Sequence, residues 1–133
     1  MDTGGGKNLQ TNRLNADGTI STASLNRQNV AGAGGDIVFA PNTNFVYVTA
    51  ASPSRVLGFS INNQGQFTEV ANVAIGTRVQ ALATSPDGRF LFVLDADTNE
   101  LLAFRIEANG GLTQLGTALA LPRSGPTSIA VGP

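Results

Sequence analysis

The chain contains no cysteine, no histidine and no tryptophan, only one methionine and one tyrosine, and a single lysine among eight basic residues. Lack of cysteine excludes a disulfide framework, a thiolate nucleophile and any thiolate metal site. Lack of histidine removes both the commonest metal ligand and the usual proton carrier near neutral pH. Neither a metal nor a cofactor is expected. Charge is scarce as well: 13% of 133 residues are charged and the net charge is −1, so no basic stripe exists to track a phosphate backbone and no nucleic-acid partner is expected. No apolar run approaches the roughly 18 residues of a membrane-crossing helix. The opening Met1-Asp2-Thr3-Gly4-Gly5-Gly6-Lys7 has neither the basic nor the apolar segment of a signal peptide, and no membrane partner is expected. The compartment stays open, because a chain without cysteine suits either side of a membrane; the Asn-, Thr- and Gly-rich polar set leans toward exported bacterial proteins.

Enough apolar sequence is present, 41% of the chain, to build one domain with a real core. Its organising stretch is Gln80-Ala-Leu-Ala-Thr-Ser-Pro-Asp-Gly-Arg-Phe-Leu-Phe-Val93, two short apolar runs around Ser85-Pro86-Asp87-Gly88. Pro86 presets φ and Gly88 tolerates positive φ, which reads as a β-hairpin. The pattern occurs 45 residues earlier, with Pro41 over Pro86, Phe45 over Phe90 and Val48 over Val93. Phe59 over Phe104, Ile61 over Ile106 and Gly65 over Gly110 extend the same register.

Each repeat carries four strand signals. In the first they fall at 36–40, 45–49, 56–61 and 67–73, and in the second at 81–84, 90–94, 101–106 and 112–115. Two further strands are expected before them, at 9–14 and 19–25, joined by an Asp17-Gly18 turn and followed by a loop over 29–35. Residues 127–133 restart the first strand once more, with Pro133 placed 47 residues after Pro86. A period of about 45 residues with four short antiparallel strands is the pattern of a β-propeller blade. The expected fold is therefore all-β, built of four-stranded antiparallel propeller blades in an incomplete ring of about 2.5–3 blades. Its parts are a disordered arm (1–8), a partial blade of outer strands (9–35), complete blades (36–79 and 80–126) and the first strand of a further blade (127–133). Such a ring cannot close alone, since closed propellers take roughly four to eight blades. The expected partners are further copies of the chain or the remaining blades of a longer one.

Ser85-Pro86-Asp87-Gly88-Arg89-Phe90-Leu91-Phe92-Val93, with Glu100 to Ile106 and Gly110-Gly111-Leu112-Thr113, resembles the blade consensus of the bacterial lactonase propellers, the seven-bladed, 6-phosphogluconolactonase-like family. Tyr47-Val48-Thr49 similarly resembles the YVTN repeats of related surface proteins, which share the blade but not the activity. The resemblance implies fold more than activity, because the matching residues form turns and core. Where those lactonases tend to place Asn-Arg after the second strand, this chain has Asp95-Ala96 and Ala50-Ala51, and the imidazole proposed for lactone opening is absent. The leading expectation is thus a lactonase-like binding or scaffolding module, incomplete on its own. The alternative is part of a sugar-lactone hydrolase active only with its remaining blades. Whether the chain is an enzyme stays open at this point.

Two groups of residues carry candidate chemistry, both on the blade face that bears the loop into each inner strand. Arg78 and Arg123 lie 45 residues apart at equivalent loop positions; they read either as guanidinium groups converging on a small anionic ligand, a sugar acid by the resemblance, or as solvated arginines paired with local carboxylates. Asp95-Ala96-Asp97-Thr98-Asn99-Glu100 is a run of acceptors, with Asp95 and Asp97 as candidate ligand contacts, and reads either as an oxygen-rich binding loop or as an ordinary turn. No catalytic residue is identified. The phenylalanines and Tyr47 recur at strand positions, which assigns them to the core.

Overall fold

The computed structural model describes residues 7–30, 32–51, 53–122 and 128–133. Among these residues ten strands follow one another: β1 (Lys7–Leu14), β2 (Ile20–Val30), β3 (Ala33–Phe39), β4 (Phe45–Ala51), β5 (Ser54–Ile61), β6 (Phe67–Ala74), β7 (Val79–Thr84), β8 (Phe90–Asp95), β9 (Glu100–Ile106) and β10 (Leu112–Ala120). They form three antiparallel meanders: the hairpin β1–β2 and the four-stranded sheets β3–β4–β5–β6 and β7–β8–β9–β10. No helix is present among the described residues.

Several boundaries move relative to the sequence reading. β1 starts at Lys7, where an arm was expected to run to residue 8, because Lys7 and Asn8 pair with Val30 and Asn29. The same pairing carries β2 into the region read as a loop over 29–35, and β3 then begins at Ala33. β10 continues past Leu115 through a bulge to pair Leu119 and Ala120 with Leu101 and Glu100. Gly116, at φ +62°, makes that bulge without a Cβ penalty. Residues 128–133 carry no ladder pairing.

Strand alternation explains why the middle strands read as unbroken apolar runs. Cross-strand partners share a face, so Val38 with Tyr47 points one way while Ile37 with Val48 and Phe39 with Val46 point the other. Both faces of β4 are covered. On one side Tyr47, Val56, Ala71 and Ile75 pack with Val79, Leu82, Leu91, Val93 and Phe104 of the next sheet. On the other, Val46, Val48, Ala50, Leu57 and Phe59 pack with Val30 of the hairpin, flanked by Leu9. A sheet sandwiched on both faces needs no polar alternation.

Polar contacts fix how successive blades sit. Leu82 N donates to Asp36 Oδ2 at 2.9 Å and Thr84 Oγ1 to the Phe39 carbonyl at 3.0 Å, joining inner strands β3 and β7. Tyr47 Oη donates to the carbonyl of Gly110 at 2.8 Å. Thr11 Oγ1 donates to the carbonyl of Gly65 at the same distance. Gly65 and Gly110 end equivalent turns at φ +76° and +86°, so each turn receives a hydroxyl from the preceding blade.

Candidate ligand face

The connections β4–β5, β6–β7 and β8–β9 lie at one end of the sheets. Ala96 N donates to the Arg78 carbonyl at 3.0 Å, tying the β8–β9 connection to the loop that enters β7. Val79 N donates to Ser54 Oγ at 3.1 Å and Ile75 N to the Ser54 carbonyl at 3.2 Å, tying that loop also to the β4–β5 connection. Loops from two neighbouring blades are thereby joined into one surface.

Asp95 is the centre of this tie. It ends β8, only 1% exposed. Its Oδ2 accepts from Thr77 N at 3.0 Å, and its Oδ1 accepts from Asp97 N at 3.0 Å and Thr98 N at 3.3 Å. Burial alone would raise the carboxyl, but the amides of Thr77, Thr98, Asp97 and Arg78 outweigh it and hold the acid below its ordinary value of 3.8. Gly76, at φ +28°, leaves room for the carboxylate, since a Cβ there would coincide with Asp95 Oδ2. The positive φ and the missing side chain are both required, which accounts for glycine at this loop position.

Arg78 and Asp97 stand outward from the tie. Arg78 Nε lies 3.5 Å from Asp97 Oδ1, with the two side chains 56% and 51% exposed. Such an open pair contributes about 0–1 kcal/mol and is readily exchanged for another partner. Arg123, the repeat equivalent of Arg78, lies outside the described residues. Of the four residues singled out in the sequence, therefore, Arg78 and Asp97 are together at the surface, and Asp95 is turned inward with both oxygens engaged by backbone amides. No group of three acidic side chains is gathered for a metal ion among the described residues.

The sequence reading passed over Arg55. It is the second residue of β5, opposite Ala50 and Ala74 at the same end of the sheet, and its Nε is buried with no hydrogen-bond partner among the described residues. Its signal was weak, because the equivalent position 45 residues on is Glu100, so no repeat of charge marks it.

Residues 7–130 match the family model of the lactonase seven-bladed β-propeller. Among solved structures, a Bacteroides fragilis protein carrying a provisional 6-phosphogluconolactonase assignment superposes with a TM-score of 0.76 at 24% identity, covering 91% of this chain and 35% of its own. The periplasmic gluconolactonase of Pseudomonas aeruginosa superposes at 0.73 with 20% identity, covering 90% of this chain and 35% of its own. A Lactobacillus plantarum protein superposes at 0.70 with 23% identity, over 85% and 35%. At these identities the likeness is one of fold, and the chain spans about a third of the length of these relatives. With the family match running through all three sheets, the chain belongs to the lactonase family of seven-bladed β-propellers.

Proposed function

We propose that this chain is part of a sugar-lactone hydrolase of the 6-phosphogluconolactonase kind, active only when the remaining blades complete the ring. The observation that carries the reading is the lactonase family match over residues 7–130, and the gluconolactonase among the similar structures is consistent with it. No specific observation favours the binding or scaffolding module. The chain's own contribution is the face formed by the β6–β7 and β8–β9 connections, where Arg78 offers a planar, fixed positive charge suited to a carboxylate or phosphate. Arg123, outside the described residues, repeats Arg78 in the sequence 45 positions on and is proposed to serve the same ligand. Asp95 braces the loop from beneath. Asp97 holds Arg78 until a ligand anion displaces it.

This exchange predicts opposite effects for the two partners. Replacing Arg78 or Arg123 by Ala should weaken 6-phosphogluconate binding by roughly 1 to 3 kcal/mol, the range of a charge-assisted hydrogen bond. Asp97→Asn should strengthen binding, because it removes the competing carboxylate. Amide shifts followed during titration with gluconate and 6-phosphogluconate provide the measurement, alongside lactone hydrolysis by the chain with and without the remaining blades. Shifts clustered at residues 77–79 and 97–98 support the assignment. Unchanged binding in both arginine variants, together with no hydrolysis by the completed ring, sinks it.

A further inference from the structure

Three turns occupy equivalent places at the end of the sheets opposite the candidate ligand face, joining β1 to β2, β5 to β6 and β9 to β10. Each is closed by a glycine: Gly18, Gly65 and Gly110 donate their N–H to the carbonyls of Asn15, Asn62 and Glu107 at 3.0, 2.9 and 2.9 Å. The residue before that glycine differs, being Asp17, Gln64 and Asn109. Asn109 is the one asparagine of the chain that glycine follows, and a glycine nitrogen, with no Cβ beside it, is the least hindered backbone nucleophile toward a preceding side-chain carbonyl. Asn109 is exposed and Gly110 buried. Gln64 and Gly65 show the same division although a full sheet packs after their own, so a further blade leaves Asn109 in contact with water.

We propose that Asn109-Gly110 is a site of spontaneous covalent modification, deamidation through a succinimide, and that the neighbouring blade holds its rate down. The Gly110 nitrogen bonds to Asn109 Cγ, its proton passes to the side-chain nitrogen, and ammonia leaves. Water then opens the succinimide. Cleavage of the new bond to Cγ leaves an aspartyl residue; cleavage of the bond to the main-chain carbonyl carbon leaves an isoaspartyl link, in which the chain runs through Cβ and Cγ. The other residues that precede glycine are chemically disfavoured. Gln64 would have to close a larger ring. Asp17 and Asp87 are carboxylates held below their ordinary value of 3.8 by the hydroxyls of Thr19 and Ser85, and an ionised carboxylate is a poor electrophile.

The native turn withholds the nucleophile. Gly110 N–H is engaged by the Glu107 carbonyl, and Gly111 N donates to Asn109 Oδ1 at 2.9 Å, which fixes the side chain against the amide beyond the one that must attack it. Gly110 is also clamped from the preceding blade: Tyr47 Oη donates to its carbonyl at 2.8 Å, and a Cβ on it would stand 2.6 Å from Val70 Cγ2 and 2.8 Å from Phe45 Cδ1. Ring closure therefore waits on local opening of the turn, which the Tyr47 bond opposes. The isoaspartyl product lengthens the main chain by a methylene ahead of Gly110, so the carbonyl no longer meets the Tyr47 hydroxyl and a buried donor loses its acceptor. Modification thus weakens the contact that restrains it. The inference does not depend on the hydrolase reading, since it concerns the opposite end of the sheets.

Incubation of the full chain at neutral pH, followed by peptide mass spectrometry, provides the test. Conversion should appear at Asn109 ahead of every other asparagine and give both products, which an aspartate-specific endoprotease separates because it cuts only the aspartyl form. Tyr47→Phe keeps the ring in place and removes the hydroxyl; it should speed conversion about tenfold, the loss of one buried hydrogen bond from the closed turn. Denaturant below the unfolding midpoint should speed it in the unmodified chain as well, which tests the clamp even if Tyr47→Phe fails to fold. Asn109→Gln should abolish it. Thr11→Val, which removes the equivalent bond at Gly65, should leave the rate at Asn109 unchanged. Conversion no faster at Asn109 than at Asn63, or equal rates in the native and the denatured chain, overturns the proposal. So does a folded Tyr47→Phe chain that converts no faster than the unmodified one, or a Thr11→Val effect as large as that of Tyr47→Phe.

Discussion

Tyr47, the chain's single tyrosine, is fully buried, and its hydroxyl donates to the Gly110 carbonyl across the blade interface. Its ring fits because Gly58 has no side chain: a Cβ there would stand 2.7 Å from Tyr47 Cε1 and 2.9 Å from Ala71 Cβ. Burial pushes the phenol well above its ordinary value of 10.0. The linkage sign follows. Below pH 10.0 the group is protonated whether folded or not, and its effect is constant. Above it the unfolded chain loses the proton while the native chain retains it, so stability falls as pH rises. With one tyrosine and no tryptophan, phenolate absorbance reports Tyr47 alone: it should appear near the ordinary value in denaturant and be absent about one pH unit higher in the native chain. Coincident titration in both states would contradict the buried hydrogen bond. The sequence placed Tyr47 in the core through its strand position, but not its hydroxyl, whose partner lies 63 residues away on a turn that only the ring of blades brings near.

Among the connecting elements, the β8–β9 loop shows how one run of residues divides between two roles. Asp95 through Asn99 was legible as a polar turn rich in acceptors, yet nothing in its pattern separates the buried carboxylate from the exposed one. That separation comes from the chain turning away after Asp95, the last residue of β8, and from Gly76 in another loop, which makes the space Asp95 fills. Asp95→Asn retains the shape but replaces one acceptor with donors that face backbone amides. The expected cost is about 1–3 kcal/mol at neutral pH. Because the native carboxyl is held below 3.8, its contribution is complete above the unfolded value and is lost as pH falls through the native one. Denaturant midpoints of the two proteins should therefore differ at neutral pH and converge in acid; a constant difference would assign the cost to packing alone. Strand ends were the least legible feature. β2 and β10 outrun their sequence signals because the ladder with β1 and β9 extends them, and Asn29 or Gly116 says nothing locally of a partner opposite.

For the whole molecule, the 45-residue repeat made the two four-stranded sheets legible, since the same turns and apolar positions recur in both. It could not reveal how unequally the three meanders are held. The two full sheets share a core reaching from Tyr47 and Val56 to Leu91, Val93 and Phe104. The hairpin rests on the opposite face mainly through Val30 and Leu9, and its outer residues Leu14, Ile20 and Leu25 are exposed. A two-stranded hairpin is marginal by itself, so its persistence depends on that single face and on the Thr11 to Gly65 bond. It should open before the sheets do. In native-state hydrogen exchange the amides of β1 and β2 are expected to exchange at least about tenfold faster than those of β4, β5 and β8, a difference of about 1.4 kcal/mol in opening free energy. Thr11→Val should widen the gap by leaving the Gly65 carbonyl without its donor, while leaving β8 unchanged. If β1 and β8 lose protection together at every denaturant concentration, the three meanders form one cooperative unit, and the hairpin is held by more than the face seen here.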